Sequence, residues 1–364
     1  MTTGLRPATG SKVDIAALCA HTERIDVRSP SEFAEDHIPG AINLPVLDDA
    51  ERAEVGSLHA RSSAFAAKQR GAAIVARNIA RIIEQHCQGK PRDWAPLVYC
   101  WRGGKRSGAL AHVLGEIGWR AVQLDGGYQA YRRHVVASLA TMPLRFRFIV
   151  VCGLTGSGKS RLLAALADVG AQVLDLEALA RHRGSLLGAL PDHPQPSQKY
   201  FDSQVLAALE RFDSAEPVYV ESESRKIGTV QVADALLAAM RAAACVRVDT
   251  PRPLRVALLK EEYAHFLTDP DTLAARLAQL VPLHGRKAVE RWNAAARSGQ
   301  FDLLVDELLV AHYDPSYARS LERNFPRSAE ALVVAPLAIA PDAYREVALD
   351  VTRRMSKRLQ EATA

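Results

Sequence analysis

Residues 153–160, Gly-Leu-Thr-Gly-Ser-Gly-Lys-Ser, restrict the fold of this chain more than any other stretch. They fit G-x-x-x-x-G-K-[ST] and stand between an apolar run, 146–151, and a helical pattern, the context in which the motif has physical meaning. Glycines let consecutive backbone N–H groups wrap a phosphate, Lys159 reaches a terminal phosphate oxygen, and Ser160 is placed to hold Mg²⁺. Gly153, Thr155, Gly156, Ser157, Gly158, Lys159 and Ser160 are therefore the expected phosphate-binding residues, because a long cradle of unpaired donors is poor structure unless an anion fills it. Further apolar runs at 171–176, 217–221 and 245–250, with helical patterns between them, extend this loop into a parallel α/β sheet. Glu221 and Glu223, at the end of one such run, are candidates to assist a metal, whose identity the sequence leaves open.

A second strand, loop, helix and strand occupy 97–132. An apolar run ends on Cys100, a Gly- and Arg-rich loop follows, and Ser107 opens a helical pattern that closes at Gly118 before Asp125-Gly126-Gly127. A cysteine at such a turn lies where backbone N–H groups converge and the helix dipole is positive, which favours its thiolate. Arg102, Lys105 and Arg106 push the same way, and Gly103 and Gly104 give the loop its freedom. Cys100, Arg102, Gly103, Gly104, Lys105, Arg106 and Ser107 form the candidate catalytic loop.

Composition narrows the setting. The 364 residues suffice for two or three domains, and 48% hydrophobic with 24% charged residues is ordinary for a globular chain. A formal charge of +5 is mildly basic and permits a polyanionic partner. No stretch approaches 18 uninterrupted apolar residues, and MTTGLRPATG lacks the charged-then-apolar layout of a signal peptide; a cytoplasmic protein with no membrane partner is expected. The five cysteines (19, 87, 100, 152 and 245) form no CxxC pair, so neither a disulfide framework nor a zinc site is suggested. Asp36-His37 has no second His or Cys at ligand spacing and reads as a buried anchor.

The Cys100 loop resembles the active-site loop of the rhodanese superfamily, whose cysteine carries sulfur or selenium. Ile25-Asp26-Val27-Arg28-Ser29-Pro30, His37-Ile38-Pro39-Gly40-Ala41 and Asp125-Gly126-Gly127-Tyr128 match its other signatures. The loop departs from the simple form by placing five residues, not four, between Cys100 and Arg106, a spacing shared with phosphatase loops that hold an oxyanion. Ser31 is expected to cap the helix that starts at Glu32, and residues 1–12 read as a flexible lead-in.

Residues 46–95 read as an insertion, helical over 63–85, with Lys68, Arg70, Arg77 and Arg81 giving it a basic face suited to phosphates or to water. Gly71, inside that helical pattern, suggests close approach of backbone or substrate at a cost of about 1 kcal/mol relative to alanine. This insertion, together with Asp175-Leu176-Glu177, His182-Arg183-Gly184-Ser185, Gln195-Pro196-Ser197-Gln198, the 221–228 stretch and Tyr313-Asp314-Pro315-Ser316-Tyr317, resembles the tRNA 2-selenouridine synthase family. Two positions depart from the family pattern: Ser222 stands where an aspartate is usual, and His312 where an aromatic is common.

The resemblance implies a rhodanese-like domain over 13–138, a linker near 134–143, a P-loop NTPase-like parallel-sheet domain over 144–250 and a helical region over 251–364, broken at Pro270, Pro282 and Pro315. It further implies a transferase that acts on tRNA. Wobble 2-thiouridine is geranylated from geranyl diphosphate, and selenium from selenophosphate, carried on Cys100 as S-selanylcysteine, then displaces the geranylthio group. Arg183 and Arg225 are candidate substrate contacts or structural ion pairs, and the basic 351–364 tail suits RNA or water equally. The P-loop fits either the prenyl diphosphate or a nucleotide. A monomer is the working expectation. Two rival classes remain open: a Cys-x5-Arg phosphatase, for which no aspartate general acid is placed by the sequence, and a nucleotide-switched RNA-binding protein.

Overall fold

A computed structural model describes residues 11–361 except 62, 186 and 192. Most of the expected lead-in, residues 1–10, lies outside the described residues, whereas Lys12 already belongs to a strand. The chain divides into two compact units, one running to Ser138 and including Lys199–Ala207, the other made of Leu139–Gln198 and the chain from Ala208 onward. The stretch 199–207, inside the expected P-loop domain, thus groups with the first unit, and the region after residue 250 groups with the P-loop sheet.

In the first unit, β1 (Lys12–Val13), β2 (Arg24–Asp26), β3 (Ala41–Asn43), β4 (Leu97–Tyr99) and β5 (Val122–Leu124) form a parallel sheet in the order β1-β5-β4-β2-β3. The central β4 is buried at every position, as a parallel strand covered on both faces requires. Helix α1 (Pro30–Glu35) is capped by Ser29, not Ser31. Pro30 takes the first helical position, so Glu32 lands where its carboxylate accepts the Ser29 N–H at 3.2 Å. The Ser31 hydroxyl donates to Asp49 instead, at 2.5 Å.

The insertion forms α2 (Asp49–Arg61) and α3 (Ala64–Ile82), the latter capped by Ser63. It is no outlying appendage: Ile79 and Ile82 share a core with Val98, Leu110 and Leu114. The close approach expected at Gly71 is to Val55 of α2, whose Cγ1 would lie 3.3 Å from an added Cβ. Lys68, Arg70, Arg77 and Arg81 are exposed, with Arg70 paired to Glu54 at 2.6 Å.

The rhodanese-type signatures meet in one buried polar network. Arg28, 1% exposed, pairs with Asp26 at 2.6 Å and donates to the Asp36 carbonyl, and its guanidinium lies 4.0 Å from the Tyr128 ring centroid. Asp36 accepts from the hydroxyls of Tyr128 (2.7 Å) and Ser203 (2.9 Å), while His37 bonds the Phe33 carbonyl and stacks on its ring. A buried arginine survives only with its charge and donors satisfied, and these residues satisfy them. The Asp36-His37 pair is an anchor. Helix α4 (Lys105–Ile117) connects β4 to β5, α5 (Gly127–Leu139) follows β5, and α5 carries helix well into the expected linker.

In the second unit, β6 (Phe148–Cys152), β7 (Gln172–Leu174), β8 (Val218–Glu221), β11 (Ala244–Val248) and β12 (Leu332–Val334) form a parallel sheet in the order β12-β11-β6-β8-β7, and β9 (Lys226–Ile227) pairs with β10 (Val230–Gln231) as a small hairpin. The region after residue 250 is therefore not helical throughout, since β12 returns to the sheet. Pro270, Pro282 and Pro315 sit in the first turns of helices, where a missing N–H costs nothing, so they start helices as much as they interrupt them. The final helix, Pro341–Glu361, buries Tyr344, Ala348, Val351 and Met355 against the sheet core. Its opposite face carries the basic tail, in which Arg353 and Arg354 both pair with Asp350.

Candidate active sites

Each unit ends its central strand on a glycine-containing loop followed by a helix whose first turn no side chain caps. The first such helix is α4, with Gly104 at its N-cap. Its leading N–H groups need acceptors. Cys100 supplies one: its sulfur accepts from the Gly104 N–H at 3.3 Å and the Ser107 hydroxyl at 3.1 Å. Gln123 holds that hydroxyl at 2.8 Å and the Gly104 carbonyl at 2.8 Å, fixing the loop from β5.

The second glycine pair locks the thiol's backbone. Tyr128 N–H donates to the Cys100 carbonyl at 2.8 Å, and Gln129 N–H to the Trp101 carbonyl at 3.0 Å. A Cβ on Gly127, whose φ is +55°, would stand 2.2 Å from the Cys100 carbonyl oxygen and 2.3 Å from the Gly103 nitrogen. Only glycine fits there. Of the three expected cations, Arg102 and Lys105 are exposed, whereas Arg106 donates to Glu32 at 3.0 Å. Burial would raise the Glu32 carboxyl, but its bonds from Arg106 and Ser29 and the charge of Arg52 outweigh that and hold it below the usual range. The thiol itself is 4% exposed and is held in place by two donors.

The second helix, α6 (Lys159–Asp168), begins at Gly158, again without a capping side chain. Arg255 Nε holds the Thr155 carbonyl at 2.9 Å, and the Thr250 hydroxyl holds that of Ser157 at 2.7 Å. Because a trans peptide points its C=O and N–H in opposite directions, the N–H groups of Gly156 and Gly158 turn to the other side, as an anion cradle requires. Arg255 is itself buried and paired with Asp314 at 2.5 Å. Lys159 Nζ donates to the Gly153 carbonyl at 2.9 Å and lies 4.8 Å from the Tyr317 ring centroid.

This loop opens on a cleft of about 520 Å³ whose walls include Lys159, Glu177, Arg183, Glu223, Tyr263 and Tyr317. Ser160 donates to Glu177 at 3.1 Å, and the Glu177 N–H donates to Glu221 at 2.6 Å. Burial works against the Lys159 charge, but Tyr317, Glu177 and Glu223 outweigh it and hold the ammonium above its ordinary range. Burial raises Glu221 and Glu223 as well. Glu177 is pushed up to about 8, by burial first and by the Glu223 carboxylate second.

The sign of the resulting pH dependence follows from Glu177. Its folded value lies above the ordinary 4.5, so the folded chain keeps a proton that the unfolded chain releases. That stabilisation is complete below about pH 4.5 and is lost as pH rises through about 8. Glu177→Gln should therefore reduce the fall of unfolding free energy between these limits, read from denaturant midpoints across a pH series. An unaltered slope would mean that Glu177 titrates as an exposed carboxylate does.

Gly153, Thr155, Gly156, Ser157, Gly158, Lys159 and Ser160 come together as one loop, and Arg183 joins them at the cleft, where its guanidinium lies 4.8 Å from the Tyr263 ring centroid. Arg225 does not; it is exposed and paired with Asp234. Gly71 is packed between helices of the first unit. Ser222 shares a 2.5 Å hydroxyl contact with Tyr317, and His312 meets His284 at 3.0 Å. Residues not singled out from the sequence as site members are Gln123, Glu177, Arg255 and Tyr317. Glu177 and Tyr317 stood in motifs already noted, whereas the partners of Gln123 and Arg255 lie far off in sequence. Among the described residues no helix is long and apolar enough to cross a membrane.

A family model described as the tRNA 2-selenouridine synthase AAA domain matches residues 146–276, and one described as a rhodanese-like domain matches residues 14–134. The tRNA 2-selenouridine synthase of Nitrosomonas europaea is 37% identical over 281 residues, which cover 74% of this chain and 70% of the relative. That of Bdellovibrio bacteriovorus is 32% identical over 344 residues, covering 82% and 89%. That of Salmonella newport is 32% identical over 343 residues, covering 85% and 92%.

Proposed function

Because this chain belongs to the tRNA 2-selenouridine synthase family, we propose that it converts wobble 2-thiouridine in tRNA to 2-selenouridine in two steps, using geranyl diphosphate and selenophosphate. The observation that carries the reading is the presence in one chain of two uncapped helix N-termini with different chemistry, a soft thiol at one and a lysine at the other.

In the first step the 2-thiouridine sulfur attacks C1 of the geranyl group. An S–C bond forms, the C–O bond to diphosphate breaks, and the uridine N3 proton is lost. The P-loop N–H groups and Lys159 stabilise the charge that builds on the leaving diphosphate. A thiocarbonyl sulfur is a poor leaving group until this alkylation makes it a departing thiol.

In the second step selenium carried at Cys100 bonds to C2 of the base, and geranylthiol leaves with the C–S electron pair. A small thiol then cleaves the S–Se bond to free 2-selenouridine, and the mixed disulfide left on Cys100 is opened by the selenium of the next selenophosphate, whose Se–P bond water breaks. The Gly104 N–H and Ser107 hydroxyl, already turned to the sulfur, hold negative charge there. Exposed Lys105 and Arg102 attract the phosphate of the selenium donor. Among the described residues no three His, Cys, Asp or Glu side chains gather into a metal site. Mg²⁺ would thus be held by Ser160 and Glu177 together with phosphate oxygens, and would supply neutralisation of the diphosphate charge.

The test is mass spectrometry of tRNA nucleosides from cells with and without this protein. Both 2-selenouridine and S-geranyl-2-thiouridine should vanish in its absence. Undiminished 2-selenouridine would reject the assignment.

A further inference from the structure

We propose that the apolar pocket beside the P-loop cleft binds the hydrocarbon chain of a prenyl diphosphate whose phosphates sit on the P-loop. The inference rests on the donor named above and adds the place where its chain lies.

The pocket and the cleft adjoin. Thr155, a residue of the phosphate loop itself, lines both, as do Ser185, Leu259, Tyr263 and Tyr313. A molecule with its charge on the loop therefore finds the pocket mouth within the span of one residue. Deeper in, the walls are Phe266, Leu273, Phe301, Leu304 and Val305, from helices Ala264–Thr268, Pro270–Leu277 and Phe301–Leu308.

Polar groups of this lining pair with protein partners. The Tyr263 hydroxyl shares a 3.2 Å bond with Ser185, and Lys260, its only charged residue, pairs with Asp302 at 2.9 Å. A nucleobase carries donors and acceptors along its edges, and burying them here without partners would be costly. A hydrocarbon needs none. The chemistry of the lining thus favours a prenyl chain over a base, which the loop motif alone could not decide.

Size agrees. The partly open space is about 60 Å³. At roughly 10–15 Å³ for each water-sized occupant it takes about four to six heavy atoms, close to one five-carbon isoprene unit. The remainder of a ten-carbon chain lies along the shared walls toward the loop.

The experiment is isothermal titration of the full chain with geranyl diphosphate, inorganic diphosphate and ATP, using wild type, Lys159→Ala and Val305→Phe. Wild type should bind geranyl diphosphate at least roughly tenfold more tightly than inorganic diphosphate, a modest part of what burying an isoprene unit provides. Val305→Phe, which fills the pocket, should erase that advantage while inorganic diphosphate binds as in wild type, a control for both fold and loop. Should that variant lose inorganic diphosphate too, the milder Val305→Leu decides, with a partial loss of the advantage expected. A full geranyl advantage in a variant that still binds inorganic diphosphate overturns the pocket and leaves the donor standing. Failure of geranyl diphosphate to bind wild type in a Lys159-dependent way overturns the donor and the pocket together, and ATP binding alone then returns the loop to a nucleotide.

Discussion

Cys100→Ser should abolish selenium incorporation while geranylated tRNA persists or accumulates. The substitution is nearly isosteric, and a serine oxygen can accept the same Gly104 and Ser107 donors that now reach the sulfur, so the loop should keep its shape. What it loses is a soft nucleophile: a serine hydroxyl is not ionised near neutral pH without a strong base, and an oxygen does not carry selenium as sulfur does. On the proposed mechanism geranylation draws on the P-loop, which lies in the other unit, and so has no reason to stop. Nucleoside mass spectrometry of tRNA from cells bearing only the variant reads both products at once. Wild-type levels of 2-selenouridine would remove Cys100 from the reaction, and loss of both products would mean that the thiol serves the first step or the fold.

The parts of this architecture that were legible in sequence are those whose cause is local. The P-loop and the Cys100 loop each showed an apolar run, a glycine-rich turn and a helical pattern, and each stands at the C-terminal end of a central parallel strand. Local causes also explain why the α1 cap lies at Ser29: Pro30 and Glu32 fix the frame together, although Ser31 is equally polar. What was hidden depends on partners distant in the chain. The strand Leu332–Val334 is three residues long, too short to display an alternation, and is a strand because Val246, Arg247 and Val248 offer it a ladder. Arg106 looked like a third cation beside the thiol, and nothing near it in sequence announces that Glu32 would hold it. Leucines and phenylalanines at helical spacing read as core, and spacing alone does not disclose that those after residue 258 leave a space beside a phosphate loop.

Lys159→Ala should depress geranylation by at least roughly tenfold while selenation of tRNA already geranylated is much less affected. The lysine now spans the loop to the Gly153 carbonyl, facing the cleft, with its charge upheld by Tyr317, Glu177 and Glu223. Its removal takes away a charge-assisted contact to the leaving diphosphate. Such contacts are worth about 1.5–3 kcal/mol in ordinary protein settings and more where charge builds in a transition state, and about 1.4 kcal/mol already corresponds to a tenfold rate. Selenation, on the proposed mechanism, uses the thiol, whose donors come from α4 and not from this loop. Two single-turnover assays separate the steps, one starting from 2-thiouridine tRNA and one from the geranylated form, each with and without ATP. Equal loss in both would assign the P-loop to tRNA binding or to folding of its unit, and a strict ATP requirement would make it a nucleotide site. Loss confined to the first assay, without need of ATP, is the expected result, because only that step breaks a bond to diphosphate.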